Sequence, residues 1–169
     1  LTRFPDTVRY LTDLIGVSGT GAAPPVETVP HYSVEDALAG VAFDKGQFED
    51  ILEIWRTKKN LILQGPPGVG KTFLARKLAY ALLGYELPSH VEMVQFHQSY
   101  SYEDFVQGYR PSGAGFSLKD GIFVRFCQRA SLDQDSMYVF IIDEINRSNL
   151  SKVFGELLML IEGDKRGSK

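Results

Sequence analysis

The stretch "LILQGPPGVGKTFLARKLAYAL", residues 61–82, joins four apolar-leaning residues to a glycine- and proline-rich turn and then to a strongly helical run. Apolar residues at Phe73, Leu74, Leu78, Ala81 and Leu82 recur at helical spacing, and Gly84 stands where a helix C-terminal glycine belongs. The pattern predicts a strand over 61–64, a tight loop and then a helix. Gly65, Gly70, Lys71 and Thr72 fit G-x-x-x-x-G-K-[ST] in the setting its mechanism requires, between a strand and a helix. Glycines let successive backbone N–H groups turn inward around a phosphate, and the helix N-terminus adds partial positive charge. Lys71 places a point charge between the outer phosphates and Thr72 offers a hydroxyl to Mg²⁺. The predicted nucleotide-binding segment is Gly65, Pro66, Pro67, Gly68, Val69, Gly70, Lys71, Thr72 and Phe73, and side chains at Gly68 or Gly70 are expected to fill the phosphate's space.

A phosphate cradle needs a metal partner, and "YVFIIDE", residues 138–144, supplies one. A strand of consecutive apolar residues is expected to be buried on both faces, so Asp143 and Glu144 emerge at the sheet edge where α/β folds place ligands. Asp143 is expected to hold Mg²⁺ with Thr72, and Glu144 to orient or deprotonate the attacking water. An Asp-Glu pair favours hydrolysis over kinase-type transfer, because a hydrolase needs a water-positioning base. Lys71 and Glu144 are therefore the predicted catalytic residues.

Outward from these motifs the chain alternates strands and helices. Residues 91–96, "VEMVQF", and 137–142, "MYVFII", are short and rich in β-branched and aromatic residues, and are predicted strands. Upstream, Ser33 is a predicted helix cap, and a helix over 48–56 carries Phe48, Ile51, Leu52 and Trp55 on one face. Between the later strands, "SYEDFVQGYRPSGAGFSLKDG" reads as irregular with glycine turns and "IFVRFCQRAS" as a helix. The last predicted helix, "NLSKVFGELLMLIE", is apolar nearly all round at "LLML", which suggests burial against further protein. Alternation of this kind predicts an α/β fold with a parallel sheet covered by helices on both faces. Residues 1–15 read as a short amphipathic helix, 16–30 as a flexible linker, and 31–169 as part of a nucleotide-binding domain. The "GTG" in the linker completes no dinucleotide-binding spacing.

With 169 residues, 44% hydrophobic and 23% charged, the chain suits one main globular domain. No apolar run is long enough to span a membrane and the opening "LTRFPDTVRY" is unlike a signal peptide, so a cytoplasmic protein is expected. The single cysteine, Cys127, excludes an internal disulfide framework and reads as a buried small hydrophobe. A net charge of −3 offers no overall cationic field for nucleic acid.

The absence of N-K-x-D sets the chain apart from guanine-nucleotide switches, and the D-x-x-G match at 164–167 follows a helix rather than a strand. The phosphate loop and the acidic pair followed by "INRSNLSKVFGELLMLIE" resemble the AAA+ class of P-loop NTPases. The full run resembles the McrB family, motor subunits of modification-dependent restriction systems. "YSVEDALAG", "NLILQGPPGVGKTFLARKLAYAL", "VEMVQFHQSYSYEDFVQGYRPSGAGF", "KDGIFVRFCQ" and "VFIIDEINRSNLSKVFGELLMLIEGDKRG" carry the resemblance. It implies a GTPase (ATP being the alternative nucleotide) that uses Mg²⁺, assembles as a hexameric ring, is stimulated by an McrC-like nuclease subunit and translocates DNA. Contacts to DNA are expected largely outside this chain, and the chain is expected to have no nuclease activity of its own. A MoxR-like ATPase chaperone and a nucleotide-gated assembly scaffold are the alternatives. The resemblance also implies a sheet of order 5-1-4-3-2, of which only the first three strands are present, truncated before the fourth core strand and the helical lid. An arginine finger is missing with them, and its absence typically removes about 10³ to 10⁵ in rate, so slow hydrolysis is expected of these residues alone.

Three further residues are candidates. Arg147 either faces a neighbouring subunit's nucleotide or pairs with Glu144 or a surface carboxylate. His97, with Gln98, ends the second strand and either restrains Glu144 or simply makes structural hydrogen bonds; Asn146 lies between the acidic pair and Arg147. The aromatic residues Phe96, Tyr100, Tyr102, Phe105, Tyr109 and Phe116 are expected to serve core and interface packing rather than base stacking.

Overall fold

The computed structural model describes residues 30–113 and 115–162. The helix expected over 1–15, the linker up to residue 29 and the D-x-x-G match lie outside the described residues. The described chain divides into two units, residues 30–93 with 137–141 and residues 94–136 with 142–162.

The first unit contains α1 (Val34–Leu38), α2 (Lys45–Lys58) and α3 (Lys71–Leu83). The expected cap at Ser33 is a full capping box: the Asp36 amide donates to Ser33 Oγ at 3.1 Å and the Ser33 amide donates to Asp36 Oδ2 at 2.8 Å. The Ser33 amide, together with the Ser33 hydroxyl that donates to Asp36 Oδ2 at 2.7 Å, holds the Asp36 carboxyl below its ordinary pKa. Asp44 caps α2 by accepting from the Gln47 amide at 3.0 Å. Gly84 closes α3 at φ 83°, a left-handed conformation that glycine adopts without steric cost. Ala37, Phe48, Leu52, Leu78 and Ala81 form the core, with Ile51, Trp55 and Leu74 packed against it, so the face predicted for α2 is the one buried. Complete burial of Phe48 or Leu52 stabilises by about 1.5–3 kcal/mol each. Lys77 Nζ donates to the carbonyls of Asp36 at 3.2 Å and Ala39 at 3.0 Å, placing a cation where α1 ends with orphan acceptors.

The strand predicted at 61–64 is not formed. Leu61 and Leu63 pack on the core while Ile62 and Gln64 are exposed, but the segment joins no ladder. Strands persist by exchanging hydrogen bonds with neighbours. In the order 5-1-4-3-2 those neighbours are the fourth and fifth strands, and neither occurs among the described residues. The sheet that does form pairs β1 (Val91–Gln95) with β4 (Val139–Asp143) in parallel. Along β4 only Val139 is buried and the remaining residues are half-buried, short of the two-faced burial expected, because two strands cover less surface than a full sheet.

The second unit holds α4 (Tyr102–Phe105), β2 (Gln107–Ser112), β3 (Gly115–Asp120), α5 (Ile122–Leu132) and α6 (Leu150–Phe154). Where irregular chain was expected, β2 and β3 form an antiparallel hairpin with Gln107 opposite Asp120 and Ser112 opposite Gly115. The last predicted helix stops at Phe154. Gly155 takes φ 52°, and Gly155–Ile161 continues as a 3₁₀ segment on which Leu158, Met159 and Ile161 are exposed. Apolar periodicity runs through this glycine unchanged, so the pattern alone did not register the break.

An aromatic cluster forms this unit's core. Phe105 stacks on Phe123 at 5.0 Å and meets Phe96 edge-on at 5.6 Å, while Tyr100 stacks on Phe96 at 4.7 Å. Packing thus accounts for Phe96, Tyr100 and Phe105, but Tyr109 and Phe116 are 70% and 74% exposed on the hairpin. Cys127 is buried, and desolvation pushes its thiol up to about 12, in keeping with a packing role.

Gly121 is a tight joint against backbone in this core. Its amide donates to the Val106 carbonyl at 2.6 Å, and a Cβ on it would lie 2.3 Å from the Phe105 carbonyl carbon. Gly121→Ala is therefore expected to destabilise the unit by about 3 kcal/mol, the upper range of overpacking, since backbone must move. Chemical denaturation measures it; a loss under about 0.5 kcal/mol, the scale of a surface change, would mean that the joint relaxes freely.

Candidate functional site

The phosphate loop belongs to the first unit. α3 starts at Lys71, with Gly70 at its N-cap (φ 79°, ψ 25°) and Gly68 at φ 80°. Both glycines occupy the left-handed region, which costs an L-residue roughly 1–2 kcal/mol. A Cβ at either would meet no atom within 4 Å, so the space in front of the loop is open. Lys71 Nζ donates to the carbonyl oxygens of Gly65 at 2.9 Å and Pro66 at 2.8 Å, which keeps the ammonium folded across its own loop. Pro66, Pro67 and Val69 are exposed, as is Thr72 at the second position of α3. Phe73 is 54% exposed, with the Lys77 ammonium 5.1 Å from its ring centre. A helix N-terminus offering backbone amides, an open cradle and a lysine is a donor set that suits a polyphosphate.

The acidic pair belongs to the second unit. Asp143 ends β4, and its carbonyl accepts from the Phe96 amide at 2.9 Å, which ties the strand end to the chain leaving β1. Asp143 Oδ1 accepts from the Glu144 amide at 3.0 Å. Glu144 takes φ 53° and ψ 38°, an uncommon left-handed conformation for a residue with a side chain, so the turn out of β4 stores a small amount of strain. Its carboxylate Oε2 accepts from Arg147 Nε at 2.9 Å across the 3₁₀ turn Ile145–Arg147.

His97, Gln98 and Ser99 follow β1, and the His97 ring meets Tyr100 edge-on at 5.4 Å. His97, Gln98, Ser99, Asn146 and Arg147 line one open cleft of about 620 Å³. The group that holds Glu144 is thus Arg147, while His97 and Gln98 face the cleft. Ser99 was not singled out from the sequence; its place just beyond a strand's C-terminal end was the signal that could have found it.

Among the described residues no cluster of three or more His, Cys, Asp or Glu side chains is arranged to hold a metal ion. Thr72 in the first unit carries a hydroxyl and Asp143 in the second a carboxylate, each an oxygen ligand of the type that Mg²⁺ accepts. Among the same residues no helix is long and apolar enough to cross a membrane.

Residues 60–168 match the family described as AAA domain (dynein-related subfamily). The chain is 60% identical over 169 positions, 98% of its length, to the "Type IV methyl-directed restriction enzyme EcoKMcrB subunit" of Escherichia coli (strain K12). It is 24% identical over 158 positions, 78% of its length, to the "Type II restriction enzyme BsuMI component YdiS" of Bacillus subtilis (strain 168). The chain spans 37% of the first relative and 46% of the second. With a family match that covers both the phosphate loop and the acidic pair, the chain belongs to the AAA domain family, in its dynein-related subfamily.

Proposed function

We propose that this chain is part of an McrB-like GTPase motor that works in a modification-dependent restriction system. The observation that carries the reading is 60% identity, along nearly the whole chain, to a subunit of a methyl-directed restriction enzyme. The open phosphate loop and the half-buried carboxylates at the end of β4 support it chemically. Lys71 and the amides at the start of α3 bind and orient the outer phosphates of GTP. Glu144 aligns a water on the terminal phosphorus and accepts its proton as the new P–O bond forms and the bond to the bridging oxygen breaks. Thr72 and Asp143 are the residues that would hold Mg²⁺, whose chemistry is neutralisation of phosphate charge. Turnover drives DNA translocation by a ring, six copies in the McrB-like arrangement, on behalf of an McrC-like nuclease subunit; cleavage belongs to that partner.

Competition between unlabelled GTP and ATP for labelled GTP on the full-length protein, with and without the nuclease subunit, tests the nucleotide. GTP is expected to compete at least about tenfold better, a difference of about 1.4 kcal/mol. Equal competition removes GTP selectivity from the proposal, and hydrolysis indifferent to both the nuclease subunit and DNA removes the restriction role.

A further inference from the structure

The cleft lined by His97, Gln98, Ser99, Asn146 and Arg147 has a distinct chemical character. Every lining side chain can donate a hydrogen bond, and among the described lining residues no carboxylate appears. The cleft is built from the chain leaving β1 and the turn leaving β4, the C-terminal ends of paired strands, where open α/β sheets place their ligands. Arg147, its cationic member, is engaged at one face by Glu144 Oε2 at 2.9 Å, and its side chain remains 62% exposed. Glu144 contacts Arg147 through Nε, so that contact leaves the terminal nitrogens of the guanidinium fork for a second acceptor.

We propose that this cleft is an oxyanion site for a phosphate group, with Arg147 as the positioning residue that couples its occupancy to Glu144. An incoming phosphate on the terminal nitrogens shares one guanidinium with the Glu144 carboxylate on Nε, so the two anions divide its charge and repel each other. Binding therefore loosens the hold on Glu144, and removing the Glu144 charge tightens phosphate binding, because coupling between two ligands of one group is reciprocal. An exposed ion pair is weak, which sets the coupling at about two- to fivefold and lets the pair yield to a second anion. The coupling to catalysis rests on the reading of Glu144 as the base; the oxyanion site does not.

The test uses inorganic phosphate and the full-length protein carrying Lys71→Ala, so that the phosphate loop no longer competes for the probe. Titration calorimetry is expected to give saturable binding near about 1 mM, as for one cation with neutral donors. Arg147→Ala in the same background is expected to weaken it at least about tenfold, the scale of a charge-assisted hydrogen bond, with Arg147→Lys between the two. Glu144→Gln is expected to strengthen it about two- to fivefold. Absence of saturable binding, or binding indifferent to Arg147→Ala, overturns the site. Phosphate affinity unchanged or weakened by Glu144→Gln overturns the coupling. Turnover by Glu144→Gln in an otherwise unaltered protein reports on the base separately, so failure of that reading is distinguishable from failure of the site.

Discussion

Glu144→Gln is expected to lower triphosphate turnover by about 10² to 10⁴-fold, the range of a positioned general base, while nucleotide binding is retained. The glutamine matches the glutamate in size and can occupy the same backbone turn, so the φ of 53° at this position is no more strained than before. Its amide oxygen can still accept from Arg147 Nε, which now meets Glu144 Oε2 at 2.9 Å. What is lost is the capacity to take a proton from the attacking water. At least about 2.7 kcal/mol is thereby added to the barrier with little change in the ground state. Single-turnover hydrolysis read beside equilibrium binding separates the two effects. Turnover at the wild-type rate removes Glu144 as the base, and a parallel loss of binding and thermal stability assigns it a structural role.

Local sequence made most of the elements around the site legible. Ser33 and Gly84 are read correctly because capping is a property of a few neighbouring residues, and the face of α2 is read correctly because Phe48, Ile51, Leu52 and Trp55 repeat at helical period. Two of the failures share a non-local cause and the third is a local break. Residues 61–64 have the composition of a strand, but strand formation depends on partners that composition does not report. Between 107 and 120 the apolar face is made by Tyr109 opposite Leu118 and Pro111 opposite Phe116, pairs visible only once the register is known. At Gly155 a backbone conformation overrides a continuous apolar pattern. The phosphate loop and acidic pair could be singled out from the sequence because each is a contiguous string. The lining of the cleft was not, since 97–99 and 146–147 are separated by almost fifty residues.

Lys71→Ala is expected to weaken triphosphate binding by about 10²-fold or more, the combined scale of two charge-assisted hydrogen bonds at 1.5–3 kcal/mol each. Lys71 Nζ now sits on the carbonyls of Gly65 and Pro66, both in exposed residues. Those acceptors return to water when the side chain is removed, so fold stability should change by no more than about 0.5 kcal/mol. The ammonium therefore exchanges two neutral carbonyls for the doubly contacted outer phosphates, and the benefit of that exchange grows with phosphate charge. The ratio of mutant to wild-type affinity is accordingly expected to be greatest for the triphosphate, smaller for the diphosphate and near unity for the monophosphate, which lacks the phosphates the lysine reaches. A uniform loss across the series would instead indicate collapse of the loop. Gly70→Ala provides the contrast: a residue with a side chain at φ 79° costs about 1–2 kcal/mol at the start of α3, and a free loop that relaxes away from that conformation to relieve the strain should weaken all phosphate-bearing nucleotides alike. Tight triphosphate binding by Lys71→Ala would contradict the cradle assignment, because nothing else at the loop's mouth carries a full positive charge among residues 65–73.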